Sequence, residues 1–404
     1  MKILVLNCGS SSIKYQVIDM KSATEYSLLV KGIIERIGLS DAILTHKPVG
    51  KPVYEVVRSI PDHTSGISLI LDALVDPEYG VLESISEIAA VGHRVAHGGE
   101  YFKDSALVDK SVKQKIEACF DLAPLHNPAN LKGILAMENI LPNTPQVAVF
   151  DTSFHQTMPA KNFMYALPYK YYEDYRVRRY GFHGTSHKYV AQTACKLTGI
   201  DMNRSKIVTC HIGSGASVAI LNGESYDTSM GFTPVDGLIM GTRCGSTDPG
   251  ALIYIAEKEG INLDRLSVMI NKESGMLGIT GVSSDMRDIR AAAESGNPRA
   301  ELAIEMFAAR IKKFVGAYAA LMEGIDMIVF TGGIGENDPG TRERVSKGLE
   351  FMGVKFDPEV NRGVRGKDVV LSAPDSRVKV VTIATNEELV IASDTFRLTK
   401  KRSE

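Results

Sequence analysis

The sequence predicts an α/β protein of two similar lobes, and two observations carry that prediction. The first is a repeat: Ile3 to Asp19 (ILVLNCGSSSIKYQVID) and Ile207 to Asn222 (IVTCHIGSGASVAILN) follow one plan. Each opens with an apolar run, places one polar residue (Asn7, His211), turns through Gly and Ser, and resumes as an alternating strand. The second is the order within each half, where strands come first and helical periodicity follows. Glycine allows the close backbone approach such a turn needs, and Ser hydroxyls and free N–H groups can bond phosphate oxygens. A hairpin tipped with Gly and Ser occurs in any sheet. Two in matching order, half a chain apart, point to a duplicated protein that holds phosphates in a cleft between its lobes.

The elements follow in order. Glu25 to Ile60 alternates apolar and polar residues, with turn signals at Gly38 and Pro48-Val49-Gly50, as antiparallel strands would. Helical periodicity appears over Gly66 to Leu74 and Val112 to Phe120. A buried strand, Ile88 to Val91, delivers GHRVAHGG, and another, Gln146 to Phe150, delivers DTSFH. The second half has hairpins from Ile207 to Thr228, helices around Ala251 to Glu259 and Arg299 to Met322, and a buried strand, Met327 to Thr331, that runs into GGIGEN. A last strand, Val378 to Ile383, leads through TNEE into a terminal helix, Leu389 to Leu398. No low-complexity stretch or flexible linker divides the chain. The boundary is expected as a continuous crossing, with residues 1–150 and 386–404 in one lobe and 151–385 in the other.

At 404 residues the chain is long for one core, and its 44% hydrophobic and 23% charged residues are those of an ordinary soluble protein. A net charge of −2 gives no support to nucleic acid or an anionic membrane as partner. The N-terminal apolar stretch, Ile3 to Leu6, reads neither as a signal peptide nor as a membrane span, so a cytoplasmic protein is expected. Five cysteines, an odd number without CxxC spacing, read as reduced thiols.

GxxxxGK[ST], GxGxxG and the protein-kinase catalytic loop are all missing, which weakens P-loop and Rossmann readings. Polar motifs at strand ends remain, where open α/β sheets put their ligands. Gly332, Gly333 and Gly335 let the backbone of GGIGEN pass against a flat or phosphorylated ligand, or simply make a strand-to-helix turn. Arg94 and Arg243 are read in Gly-flanked loops, where a guanidinium matches carboxylate or phosphate. His183 and His187, like His93 and His97, stand four apart, but without a HExxH glutamate or nearby thiolates zinc finds no support. One histidine donating to a transferring phosphate is the sharper reading. The basic run Arg176, Arg178, Arg179 reads as a solvated, salt-bridged face rather than an RNA surface. Asp151 ends a buried strand, and Glu387 and Glu388 follow another; one of that pair is a natural Mg²⁺ ligand, or Glu388 serves the dipole of the last helix.

LNCGSSSIKYQ, GHRVAHGGEYF, APLHNPAN, VFDTSFHQTMP, RRYGFHGTSH, DTSMGFTPVDGLIMGTR, SSDMRDI, TGGIGEN and TNEELVIA together resemble the acetate kinases and their propionate kinase relatives, in family order over essentially the whole chain. The resemblance implies the acetate and sugar kinase, Hsc70 and actin fold, with ATP between two duplicated lobes, Mg²⁺ (or Mn²⁺) as cofactor and a homodimer as the usual state. It implies Asn7 and Glu387 at the metal, Lys14 at the nucleotide phosphates, Arg94 at the substrate carboxylate and Asp151 as the catalytic carboxylate. His183 and Arg243 would stabilise the transferring phosphoryl group. The turn His211, Ile212, Gly213, Ser214, Gly215 would touch the β-phosphate side. Asp285, Met286 and Arg287, with Gly333, Ile334, Gly335, Glu336 and Asn337, would hold the nucleoside. Ala96, Leu125, Phe182 and Pro234 would wall the acyl pocket.

Three positions depart from the family pattern. Ser214 stands where HxGNG is usual, Gly245-Ser246 where GD is common, and Ala96 where the wall is usually Val. The reading is therefore transfer of a phosphoryl group from ATP to acetate, giving acetyl phosphate and ADP. A propionate or mixed short-chain acyl kinase is the alternative, and a non-enzymatic actin- or Hsp70-like ATPase module is the rival from another class.

Overall fold

The computed structural model describes residues 1–23, 25–213 and 215–400. The chain divides into two compact units, Met1–Phe154 with the segment from Asn386 onward, and His155–Thr385. In the first unit β1 (Lys2–Cys8) buries Ile3 to Leu6, and β2 (Ser12–Met20) pairs with it antiparallel, so that Asn7 stands opposite Lys14. Strands β3 (Tyr26–Glu35), β4 (Ala42–Pro48) and β5 (Tyr54–Arg58) extend that side. On the other side of β1 lie β6 (Ile88–Val95), β7 (Ala106–Leu107) and β8 (Gln146–Phe150), giving the eight-stranded order β5-β4-β3-β2-β1-β6-β8-β7. β6 and β8 run parallel to β1, and β7 is antiparallel to β8.

Helices His63–Leu74 and Asn127–Ile140 pack against each other and bury their apolar stripe on this sheet. Asp62 caps the first of them by accepting from Ser65 N at 2.8 Å. The terminal helix Glu387–Lys400 packs on β1, β2, β6, β7 and β8, its acidic first turn and basic last turn matched to the helix dipole. Its seat is cut by Gly92, where a Cβ would run into Ile391 and Thr395.

The second unit repeats the plan. β9 (Lys206–His211), β10 (Ala216–Leu221) and β11 (Glu224–Thr228) are antiparallel neighbours, and β12 (Met327–Thr331), β13 (Val369–Val370) and β14 (Lys379–Thr382) complete the order β11-β10-β9-β12-β14-β13. β12 and β14 run parallel to β9, with β13 antiparallel at the edge. Order and sense match β3-β2-β1-β6-β8-β7 strand for strand, so the repeat seen in the hairpins extends through the whole sheet; β4 and β5 are an addition to the first unit. Helix Pro298–Leu321 carries the core of this unit, burying Ala303, Phe307, Ile311 and Val315 among its apolar residues. Helix Gly184–Thr198 packs on β9, β12, β13 and β14.

Two sequence expectations change. Arg94 is not in a loop: parallel pairing on both sides, Leu6 with His93 and Arg94 with Val149, carries β6 through to Val95. The basic run is a solvated, salt-bridged face only in part: Arg176 is exposed and Arg179 is ion-paired, but Arg178 is not solvated. Arg178 is buried with its guanidinium 3.6 Å from the Phe163 ring centre, while Arg179 Nη1 donates to the carbonyls of Thr228 and Ser229 and lies 3.5 Å from Asp236. Aromatic neighbours and backbone carbonyls, rather than water, take up those charges. The thiols of Cys8, Cys119 and Cys210 are buried and free, and burial pushes each up to about 12. Among the described residues no helix is long and apolar enough to cross a membrane.

Candidate active site

Parallel strands β1, β6 and β8 lie side by side, and each carries a polar residue at or just past its C-terminal end. Asn7 is the penultimate residue of β1, Arg94 of β6, and Asp151 follows β8 directly. Arg94 is the hub. Its Nε donates to Asp151 Oδ1 at 3.1 Å, Nη2 to Oδ2 at 2.5 Å and Nη1 to Asn7 Oδ1 at 3.2 Å. This two-point grip fixes the guanidinium plane. The Arg94 side chain is 19% exposed and that of Asp151 only 2%. Burial works against the charge on Arg94, but the fields of Asp151 and Glu387 outweigh it and hold the group more firmly protonated than usual. Glu387 opens the terminal helix, where Asn386 Oδ1 accepts from Leu389 N at 3.0 Å. Lys14 is exposed and directly opposite Asn7 in the hairpin register. Asn7, Asp151 and Glu387 offer oxygen donors only, the donor type a hard divalent cation takes.

Sequence reasoning passed over the two amides that hold this corner. Asn130 Oδ1 accepts from Ala96 N at 3.0 Å while its Nδ2 donates to Cys8 O at 2.7 Å, tying the end of β6 to the end of β1. Asn127 makes the same two-way grip on His97, accepting from its N–H and donating to its carbonyl. Both amides are buried at the start of helix Asn127–Ile140, and their spacing of three within APLHNPAN was the available signal. Ala96 is buried, whereas Leu125 is 73% exposed. These two acyl-wall candidates belong to the first unit, and Phe182 and Pro234 to the second.

The second unit's corner is built from imidazoles. His183 precedes helix Gly184–Thr198 in the left-handed conformation (φ 55°) and stacks on His211, ring centres 4.7 Å apart and planes 11° from parallel. His211, at the end of β9, is hydrogen-bonded through Nδ1 to Ser186 Oγ at 2.8 Å, and Ser186 Oγ to Thr385 Oγ1 at 2.8 Å. Below them lie two buried rings. His187 is bonded to Thr209 Oγ1 at 2.7 Å and held well below the usual imidazole range by burial; His155 is held at about 4, also by burial. The four-residue spacing of His183 and His187 thus pairs an outer ring with a buried structural one. Phe182 is buried with Ala216, Met230 and Met240.

Arg243 is half-buried in the loop after Met240. Burial lowers its pKa, and among the described residues no carboxylate answers the charge. The neighbouring departure from the family pattern has a structural use: Ser246 Oγ donates to Asp236 Oδ1 at 2.7 Å, and Arg310 Nη1 donates to Ser246 O at 2.9 Å. Gly245 has φ +70° and faces the carbonyls of Leu238 and Gly237, where no Cβ would fit.

A cavity of about 680 Å³ opens in the same unit, within the size range of small-molecule sites. Gly213, Asp285, Met286, Arg287, Gly333, Ile334 and Asn337 line it, as the nucleoside assignment expects, together with Arg290, Asp338 and Arg365, which that assignment missed. Gly335 and Glu336 are not among its lining residues. Glu336 Oε1 instead accepts from Gly332 N at 2.9 Å and Thr385 N at 3.0 Å. Ile212 is committed too: its N–H donates to Thr331 O, and its carbonyl accepts from Ile334 and Gly335. Gly215 (φ +76°) lies against Met240, and Ser214 lies outside the described residues.

The Acetokinase family model matches residues 2–393. An acetate kinase of Phocaeicola vulgatus is 57% identical over 404 residues, covering 99% of this chain and 100% of that protein. The crystal structure of Porphyromonas gingivalis acetate kinase superposes with a TM-score of 0.95 at 50% identity, covering 98% of this chain and 99% of that one. A propionate kinase from Francisella tularensis superposes with a TM-score of 0.89 at 40% identity, with coverage of 98% and 99%.

Proposed function

Because this chain belongs to the acetokinase family, we propose that its ATP-dependent phosphorylation of acetate is a reversible, Mg²⁺-dependent in-line transfer that yields acetyl phosphate and ADP. The observation that carries the mechanism is Arg243, a half-buried cation with no carboxylate answering it among the described residues. Such a charge favours an anion, and the equatorial oxygens of a phosphoryl group in flight supply one. His183 shares that task. Arg94, its plane fixed by Asp151, receives the acetate carboxylate, and Asp151 keeps it oriented. Lys14 and the turn at His211 to Gly215 meet the nucleotide phosphates, and the cavity between Gly213, Arg287 and Arg365 takes the nucleoside. Asn7 and Glu387 would hold Mg²⁺, whose charge offsets that of the phosphate oxygens when bound. Direct transfer asks the protein for position and charge rather than covalent chemistry. The protein acts in the cytoplasm as a homodimer.

Ala96 favours a second reading, since replacing the usual Val removes two methyl groups from the acyl wall and leaves room for propionate. A single panel decides both questions. ATP turnover is measured with formate, acetate, propionate and butyrate, and the acyl phosphate is trapped with hydroxylamine. Turnover that ignores added carboxylate would refute the transfer. Ala96→Val should raise the acetate-to-propionate ratio of kcat/KM, by about 10-fold if the wall meets the extra methylene; an unchanged ratio removes the propionate reading.

A further inference from the structure

His155, the first residue of the second unit, has no task in the reaction as described. Its ring is wholly buried and both nitrogens are used. Nε2 lies 2.9 Å from Phe182 O and Nδ1 2.9 Å from Ser225 Oγ on β11. A carbonyl only accepts, so Nε2 carries the proton, and in the neutral ring Nδ1 then accepts from the Ser225 hydroxyl. Burial holds the ring neutral, with a pKa near 4.

The bond falls on the residue directly before His183. One residue further back, Gly181 (φ +74°) lies flat on the His155 ring, where a Cβ would stand 2.8 Å from Cδ2. The turn Gly181-Phe182-His183 is therefore laid over the imidazole and fastened to it. His183 leaves that turn with φ 55°, a conformation unfavourable for a non-glycine residue that persists only where its surroundings impose it. Its ring meets His211 on one side, and its backbone is set by His155 on the other.

We propose that His155 is a positioning residue: its Nε2–H fixes the Gly181–His183 turn and so aims the His183 imidazole for phosphoryl transfer. The catalytic part of this inference rests on the role given to His183 above, while the positional part does not. A leucine at 155 would fill the space and leave Phe182 O without its donor, whereas the amide of a glutamine can reach the place of Nε2.

The test uses the full chain with His155→Leu, His155→Gln and Ser225→Ala, the first also combined with His183→Ala. kcat, both KM values and the ring resonance of His183 in histidine-labelled protein are recorded. His155→Leu should lower kcat by about 100-fold, the loss typical of a misplacement near 1 Å, with KM for ATP and acetate little changed. His155→Gln should recover most of that loss. In the His183→Ala background His155→Leu should cost nothing more, because the two act through one ring. The His183 resonance should move in the Leu variant and stay in the Gln variant. An equal loss of kcat with or without His183, or an unmoved resonance, would overturn the proposal. If His183→Ala alone leaves kcat intact, the catalytic role of His183 falls, and the resonance alone decides whether His155 sets its position. Should His155→Leu fail to fold, Ser225→Ala decides. Losing the hydroxyl leaves Nδ1 without its donor and unfastens one side of the ring that holds Phe182 O, so the His183 resonance should shift and kcat fall about 10-fold, and no change in either overturns the proposal.

Discussion

At the ends of β1, β6 and β8 an arginine is locked to a carboxylate, whereas at the end of β9 the structure gathers imidazoles, and Arg243, one of the arginines of that unit, has no acidic partner among the described residues. The scaffolds are the same, six strands in one order and one sense. What differs is where the counter-charge comes from. Arg94 is paired and oriented by the protein itself. Arg243 is half-buried with no carboxylate answering it among the described residues, so its burial costs the free protein some stability, which an anion bound there, as proposed, would return.

Removing each arginine should break the comparison cleanly. Arg94→Ala leaves Asp151 buried without its cation, and stripping one partner from a buried pair costs about 3–5 kcal/mol. Arg243→Ala orphans no group, so urea unfolding should register little loss or a small gain. In activity the Arg243 variant should lose about 10²–10³ in kcat, the usual effect of removing one donor from a developing negative charge. Equal losses of stability in the two variants would erase the distinction between the corners.

Acid should probe the neutrality of the imidazole corner. His155 and His187 in the second unit, and His93 in the first, are all held below the usual imidazole range by burial, His93 and His155 to about 4. Above pH 6.5 these rings are neutral folded or unfolded, and stability is whole. Below it the unfolded chain binds protons that the folded one refuses, so stability falls until the folded pKa is reached. His93 and His155 then each cost about 2 kcal/mol between pH 7 and pH 5, and His187 acts in the same direction. Asp227 opposes this: burial raises it to about 6, so the folded state gains a proton, and some stability, as pH falls through that value. The histidines outnumber it, and urea unfolding should show a less stable protein at pH 5 than at pH 7. A stability equal or greater at pH 5 would mean the rings are solvated.

The hairpins at Ile3 to Asp19 and Ile207 to Asn222 were legible because alternation and Gly-Ser turns are local signals; the order of strands across each sheet, set by partners far apart in the chain, was not. One parallel strand, β6, hid its length, whereas Gln146–Phe150 and Met327–Thr331 run as the sequence predicts. Gly92-His93-Arg94 looks like loop composition, and it is strand because β1 and β8 pair along β6 on both sides, with the terminal helix pressed against Gly92 from far along the chain. Helices Asn127–Ile140 and Gly184–Thr198 were missed for a related reason. Their first turns bury Asn127, Asn130, Ser186 and His187, polar residues that obscure an apolar period. At the site, the residues assigned ligand-facing roles carry motif-like signatures, and most of those assigned to the nucleoside line one cavity. Residues that hold those ligand-facing groups from behind, such as Asn130, Glu336 and His155, act through backbone atoms brought together by folding. A single sequence does not display those partners.

The smallest expected effect belongs to the bond that joins the second corner together. Ser186 Oγ bridges His211 Nδ1 and Thr385 Oγ1, each at 2.8 Å, and Thr385 N is in turn bound by Glu336. Ser186 Oγ meets one hydroxyl and one imidazole nitrogen here and no carboxylate or guanidinium, and a hydrogen bond contributes a net 0.5–1.5 kcal/mol or so, about 1 in the mean. Ser186→Ala should therefore lower stability by about 1 kcal/mol, well short of the loss expected for Arg94→Ala. Thr385 keeps its backbone anchor on Glu336, so the chain at that point should stay in place, and His211 keeps its stack on His183. The expected kinetic result is a loss of kcat within about 10-fold, because one weak tether of several is cut. Urea unfolding and the acyl phosphate assay on the same preparation measure both quantities. A stability loss as large as that of Arg94→Ala would mean that the hydroxyl–imidazole network is as costly to break as the arginine–carboxylate pair, and the contrast between the corners would lie in chemistry alone.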